Sequence, residues 1–145
     1  MQFIVITVTI VLVVVILTYP RRLRILETNL GRNAGWLIEW RGQVVAALDD
    51  CQYEDMFWDS YQLEILATDI SIRKQLLQPE FWVSPEQVEI VWRNRVFGQV
   101  ADGAFSAGLN QKGRLVMRKL YLTVCCEGPW DEFILWARRR LRDHS

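Results

Sequence analysis

The sequence predicts one N-terminal transmembrane helix plus a mainly antiparallel β domain of six or seven strands, a barrel or sandwich, with a C-terminal amphipathic α-helix. Three observations support this fold class. The first 20 residues carry no charge, which is typical of a membrane span. The middle of the chain consists of short apolar runs separated by turn residues, and residues 129–142 carry helix start and stop signals.

The uncharged run over residues 3–19 is dominated by Val and Ile. As a helix, its 17 to 18 apolar residues span roughly 26–27 Å at about 1.5 Å per residue, close to the hydrocarbon thickness of a bilayer. Its threonines are tolerated there because each hydroxyl bonds the carbonyl one turn back. A cleaved signal peptide needs a basic start and a small-residue cleavage site, and neither is present. We therefore expect an uncleaved transmembrane helix over residues 1–20.

Basic residues cluster directly after this run, and none precedes it. The positive-inside rule then predicts a single-pass protein of the cell (inner) membrane, with its N-terminus outside and its C-terminal domain cytoplasmic. The predicted membrane-surface residues are Tyr19, Arg21, Arg22 and Arg24, which suit anionic lipid headgroups. Residues 21–34 are expected to form a basic juxtamembrane linker, and residues 35–145 the cytoplasmic domain.

Composition narrows the class of protein further. Seventeen basic residues balance 17 acidic ones, so bulk charge gives no support for nucleic-acid binding. The three cysteines are odd in number, and two are adjacent, which fits free thiols in a reducing compartment. Adjacent cysteines on a strand point to opposite faces. Seven tryptophans favour a substantial core and an interface.

The domain reads as a series of short strands. Predicted strands cover residues 36–40, 43–48, 56–66, 87–92, 95–100, 104–109 and 114–124. Tight turns are expected at residues 41–42 and 110–113. A short helix capped by Thr68 or Asp69 ends before Pro79, and residues 81–83 form an irregular or edge piece between two prolines.

The terminal helix has Pro129 in its first turn, acidic residues at its start and arginines at its end. At about 100° per residue an apolar stripe forms on one side, and we expect it to lie on the sheet. The stripe consists of Trp130, Phe133, Ile134, Ala137 and Leu141. The candidate partner or lipid surface lies outside the centre of the stripe and consists of Leu135, Trp136, Arg139 and Arg140.

This order of elements resembles a pleckstrin-homology-like barrel, in which the terminal helix covers one open end. The layout of one N-terminal span and a cytoplasmic β-rich domain is also similar to that of photosynthetic reaction-centre H subunits. Both resemblances concern the layout and carry little functional weight.

An acidic run follows the second predicted strand. Its candidate patch comprises Asp49, Asp50, Glu54, Asp55 and Asp59. A divalent cation or a basic partner is the functional interpretation, and a solvated loop and strand face is the structural one. Alternation places Asp59 between apolar positions, so it is either buried with a partner or turned outward by a bulge.

No reaction is indicated by the remaining polar residues. The single histidine, His144, lies next to the C-terminus, which leaves no Ser-His-Asp or Cys-His triad and no zinc-ligand spacing. The glycines between residues 103 and 113 match no phosphate-binding pattern. We expect no catalytic residues, no metal, no cofactor and no enzyme activity.

The sequence thus predicts a non-enzymatic accessory subunit or assembly factor of an integral membrane protein complex. The first alternative is a module that binds lipid headgroups at the membrane surface. The second is a carboxylate-dependent hydrolase, which would need a substrate cleft.

Overall fold

An apolar helix opens the structure, which is a computed structural model describing residues 2–28, 35–84, 89–101 and 103–143. Helix α1 spans Gln2–Thr18, and all of its described side chains are exposed. Thr7, Thr9 and Thr18 each donate a hydroxyl hydrogen bond to the carbonyl four residues earlier, at 2.7–2.8 Å, as predicted.

Among the described residues, no helix combines the length and the apolar character needed to cross a membrane. The transmembrane helix predicted over residues 1–20 therefore gains no support from these helices.

The segment after α1 is a strand where the sequence predicts a linker. β1 spans Arg22–Glu27 and pairs antiparallel, along its whole length, with the last strand, β8, Tyr121–Cys126. We call this two-stranded sheet the ribbon. The predicted linker over residues 21–34 is corrected for this stretch, because its alternating Arg-Leu-Arg-Ile pattern suits a strand once a partner is present. The end of that linker, residues 29–34, lies outside the described residues.

Six further strands form one curled antiparallel sheet. They are β2 Trp36–Trp40, β3 Gln43–Tyr53, β4 Trp58–Ile65, β5 Ile90–Asn94, β6 Ser106–Leu109 and β7 Leu115–Arg118. Their order across the sheet is β5-β2-β3-β4-β7-β6. The predicted mainly antiparallel β domain is confirmed, with eight strands in the described part of the chain where the sequence predicts six or seven.

Two hairpins form at the predicted turns. Arg41 and Gly42 connect β2 to β3 with positive φ angles of 53° and 76°, as a type I′ turn requires. Residues 110–113 connect β6 to β7. The strand predicted over residues 114–124 is split, because β7 leaves the large sheet at Arg118 and the chain then enters the ribbon as β8.

The stretch after β5 departs from the prediction. Residues 95–97 form a turn, because the Asn94 side chain accepts hydrogen bonds from the backbone N–H groups of Val96 and Phe97. Only Val100 returns to β5, through a single bridge to Arg93. A side-chain-capped turn thus replaces most of the strand predicted over residues 95–100.

Aromatic side chains dominate the main core. Helix α2 spans Ile70–Leu76 and is capped, as predicted, by Asp69, whose carboxylate accepts from two first-turn N–H groups. The irregular piece is a 3₁₀ helix, Pro79–Val83, which places Phe81 and Trp82 inside. The buried tryptophans of this core are Trp36, Trp40, Trp82 and Trp92.

The terminal helix, α3, spans Pro129–Asp143 and packs on the ribbon. Its contact is made by Leu135, which lies with Leu26 and Cys126 in a second, smaller cluster. The predicted orientation is therefore wrong for Trp130 and Phe133 of the apolar stripe, which are exposed, whereas Ile134 and Ala137 are half-buried. The buried residue of α3 in this contact is the aliphatic Leu135, and the row of rings faces outward. The packing partner is also the ribbon, where the sequence predicts an open barrel end.

Candidate functional site

The predicted membrane-surface residues lie where α1 joins the ribbon. α1 ends at Thr18, and β1 begins four residues later. Arg21 forms an exposed ion pair with Glu127 at 3.6 Å, and the Arg22 guanidinium lies 5.5 Å from the centroid of the Tyr19 ring. The domain therefore begins directly at the end of the apolar helix.

Glu132 on α3 connects this junction to the terminal helix. Its Oε1 accepts a hydrogen bond from Arg24 Nε at 3.0 Å, and its carboxylate also pairs with the Tyr19 hydroxyl. Partial desolvation raises the pKa of Glu132, but the hydrogen bonds from Arg24 and Tyr19 and the charges of Arg24 and Arg22 outweigh it, so the pKa is lowered. Two predicted surface residues, Tyr19 and Arg24, thus contact one carboxylate, Glu132, that was not among the predicted site residues.

The outer face of the ribbon is exposed and largely apolar. Leu23 and Ile25 are 71% and 73% exposed, and they lie opposite Cys125 and Thr123 of β8. Directly opposed residues of an antiparallel pair share a face, so these four side chains form one patch, which we call the outer ribbon face. This patch was not predicted, because its β1 residues were assigned to a linker. The alternation of arginine and aliphatic residues over positions 22–26 was the signal of a strand.

The two adjacent cysteines of β8 behave as predicted. Cys125 is exposed on the outer ribbon face, and Cys126 is buried against α3. Burial is the largest of the causes that raise the pKa of the Cys126 thiol, followed by the carboxylates of Glu132 and Asp131. Cys126 is therefore held as a neutral thiol, which disfavours nucleophilic chemistry.

The candidate partner or lipid surface on α3 is only partly as predicted. Leu135 is 7% exposed, so it is a packing residue and does not belong to a surface. Trp136 is exposed, and the Arg140 guanidinium lies 5.6 Å from its ring centroid. Arg139 is half-buried and lines a groove beside Trp136.

Two aromatic residues that the sequence placed on the sheet complete this surface. Trp130, Phe133 and Trp136 are 69%, 51% and 54% exposed. Their rings stack in sequence, with centroid distances of 5.4 and 5.8 Å. We call these three residues the aromatic ladder. The spacing of three residues along the helix was the available signal, but the choice of buried face was not encoded in it.

Most carboxylates of the acidic run form ion pairs or hydrogen bonds with other residues of the domain. Asp49 pairs with Arg95, and Asp50 pairs with Arg114 at 3.0 Å. Glu54 accepts a hydrogen bond from Asn110 at 3.2 Å. These contacts favour the structural interpretation of the patch over a cation site or a basic partner.

The other two members of the acidic run are also structural. Asp55 Oδ1 accepts from the backbone N–H groups of Phe57 and Trp58, which closes the turn before β4. Asp59 is buried, so the bulge that would turn it outward is absent at this position. Among the described residues, no three His, Cys, Asp or Glu side chains converge as metal ligands.

A polar network beside Asp59 is built around Arg114. Its Nε donates to Ser60 Oγ at 3.1 Å, and its Nη1 donates to Asp50 Oδ2. Its Nη2 donates to the backbone carbonyls of the same two residues, Asp50 and Ser60. Asp50 has a φ of 49°, at the irregular pairing between β3 and β4. Arg114 therefore holds a bulge in place, which is a structural role.

Cys51 lies close to this network. Burial is the largest cause that raises the pKa of its thiol, to about 11. A thiol protonated across the physiological range is a poor nucleophile.

Comparison with protein-family models, with characterised proteins and with solved structures finds no match to this chain.

Proposed function

We propose that this chain is a single-pass membrane protein that acts as a non-enzymatic accessory subunit or assembly factor of a membrane protein complex. One observation supports it most: an apolar helix with exposed side chains leads, within four residues, into a ribbon whose outer face is also exposed and apolar. In the described part of the chain, neither surface is buried by the domain's core, so both are available to lipid or to a partner.

The first part of the proposal is membrane insertion of α1. Its 17 residues rise roughly 26 Å, about 4 Å short of an average hydrocarbon layer, and local bilayer thinning accommodates such a shortfall. The back-bonded threonines leave no hydroxyl donor without an acceptor in lipid. The arginines that follow α1 favour a cytoplasmic domain.

Carbonate extraction of membranes tests this insertion. Val11→Arg combined with Val14→Arg places two charges near the middle of α1, each costing about 2.5–3.5 kcal/mol in lipid. We expect this variant in the supernatant, and the wild-type chain and a Val11→Leu/Val14→Leu control in the pellet. Extraction of the wild-type chain would contradict the anchor.

Labelling of the exposed Cys125 thiol tests on which side of the membrane the domain lies. A membrane-impermeant maleimide should label it only after the cells are permeabilised, if the domain is cytoplasmic. The Cys125→Ser variant provides the blank for this labelling. Labelling of Cys125 on intact cells would place the domain outside and overturn the orientation.

The second part is a protein partner at the outer ribbon face. This face follows α1 directly, so a partner that contacts it is held at the bilayer surface, as an integral membrane protein is. Apolar side chains at the centre of an interface contribute most of its affinity. Leu23 and Ile25 are the most exposed large aliphatic residues of the ribbon.

Native electrophoresis in mild detergent tests the partner. We expect the chain to migrate within a larger complex, and Leu23→Glu combined with Ile25→Glu to release it. Ile70→Glu with Leu77→Glu is the matched control, because these residues on and next to α2 are similarly exposed. A wild-type chain that migrates only as a monomer would contradict the proposal.

A further inference from the structure

The aromatic side of α3 points away from its own domain. Leu135 packs on the ribbon, and Phe133, two residues earlier, lies about 200° around the helix from it. The aromatic ladder is therefore on the side opposite to the packing contact. An amphipathic helix normally buries this face, so the ladder requires another apolar environment.

The position of the ladder beside the anchor indicates which environment that is. Glu132, in the first turn of α3, pairs with Tyr19, the first residue after α1, and with Arg24 of β1. These contacts hold the start of α3 at the end of the apolar helix. If α1 enters a bilayer, the ladder lies at the height of the lipid headgroups.

The charges around the ladder suit the same environment. Arg139 and Arg140 flank Trp136, and the Arg140 guanidinium lies over its ring at 5.6 Å. Trp and Phe on one face with arginines beside them are typical of helices that lie in the membrane interface. Arginine charge is complementary to anionic headgroups and carries no such preference for zwitterionic ones.

We propose that α3 is an interfacial membrane helix: the aromatic ladder inserts at the headgroup boundary of an anionic bilayer, and Arg139 and Arg140 contact the lipid phosphates. This inference rests on the proposed function, because α1 brings the helix to the membrane. It adds a second attachment that fixes how the domain is oriented over the bilayer. The outer ribbon face would then point away from the bilayer, since α3 lies between the bilayer and the inner face of the ribbon.

The test uses the full chain reconstituted in vesicles of phosphatidylcholine alone or with 30% phosphatidylglycerol. Phe133→Cys in a Cys125→Ser background carries an environment-sensitive fluorophore on the ladder, and Ile70→Cys in the same background is the exposed control on α2. We expect the Phe133 probe to shift to the blue and lose most of its iodide quenching in anionic vesicles. The Ile70 probe should remain quenched in both vesicles.

Charge substitutions test the role of the arginines. Each arginine near an anionic surface contributes about a fivefold factor in binding, so Arg139→Gln with Arg140→Gln should lower interfacial occupancy about 25-fold. Lys112→Gln with Arg118→Gln, on the exposed β6–β7 hairpin, controls for net charge and should leave occupancy unchanged. High salt should weaken occupancy by screening.

Each other outcome counts against a defined part of the proposal. A chain that resists carbonate extraction but keeps its Phe133 probe quenched in anionic vesicles would overturn the α3 inference and leave the anchor intact. Protection of the Phe133 probe in both vesicles, with a doubled particle mass in detergent, would assign the ladder to a second copy of the chain. A chain extracted by carbonate would contradict the proposed function itself.

Discussion

The side of α3 that packs on the ribbon determines the effect of two alanine substitutions, Leu135→Ala and Phe133→Ala. Leu135→Ala removes a buried side chain from the cluster with Leu26 and Cys126. Leucine-to-alanine changes in cores cost about 2–5 kcal/mol, and this small satellite cluster places the expected cost near the lower end, at about 2 kcal/mol. Phe133→Ala removes a half-exposed ring, and we expect a change within about 0.5 kcal/mol.

Hydrogen exchange of the α3 backbone amides measures both effects locally. The full chain is examined in one mild detergent, so that the micelle is common to all variants. A cost of about 2 kcal/mol corresponds to roughly 30-fold faster exchange through opening of α3, and 0.5 kcal/mol to about twofold. The amides of β2 and β3 serve as an internal reference, because they lie in the main sheet and should keep their protection.

The opposite ranking would refute the assigned face of α3. If the apolar stripe were packed on the sheet, Phe133→Ala would be a core substitution with a cost of about 3–5 kcal/mol. Faster exchange in Phe133→Ala than in Leu135→Ala would therefore mean that the ladder is buried. The interfacial role of α3 would be rejected by the same result.

Three further outcomes are expected. The side chain of Arg114 is 13% exposed, and its partner carboxylate on β3 is half-exposed, which weakens the ion pair. Arg114→Met should therefore lower the free energy of unfolding in urea by about 2 kcal/mol. The control Arg118→Met, at an exposed position, should change it by no more than about 0.5 kcal/mol. Because the pKa of Glu132 is lowered in the folded state, its contribution to stability is complete above the ordinary carboxyl pKa of about 4.3 and is lost as the pH falls through the lowered value. The hydrogen-exchange protection of α3 should fall with it, and Glu132→Gln should abolish this pH dependence. Brief maleimide treatment near neutral pH should give one adduct by mass, at Cys125, because burial holds the pKa of Cys51 at about 11; a first adduct at Cys51 would contradict its burial.

Local signals in the sequence were sufficient for most of the large sheet. The Arg41–Gly42 turn, the Asp69 cap and the start of α3 near Pro129 each depend on residues a few positions apart. Such signals are readable because turn geometry and helix capping are set by the nearest neighbours in the chain. The predicted antiparallel β domain with a terminal helix followed from them.

The ribbon could not be predicted in the same way. β1 and β8 are separated by most of the chain, and their pairing brings Arg22 opposite Cys126. Alternation over residues 22–26 is the one local signal of this strand, and no neighbouring hairpin partner supports it, so the sequence predicts a linker there. Pairing over such a distance depends on the completed sheet, which sets where the two ends of the domain meet.

The sequence by itself determined that α1 is apolar and uncharged, that arginines follow it, and that α3 has an aromatic stripe. The apolar stripe of α3 and the apolar, uncharged character of α1 are properties of composition and period, which do not change on folding. Only the tertiary structure decided that Leu135 faces the ribbon and that Trp130 and Phe133 of the stripe are exposed. The reason is that helical period defines a face but not its partner: the narrow ribbon and the Arg24–Glu132 pair selected the other side of the helix.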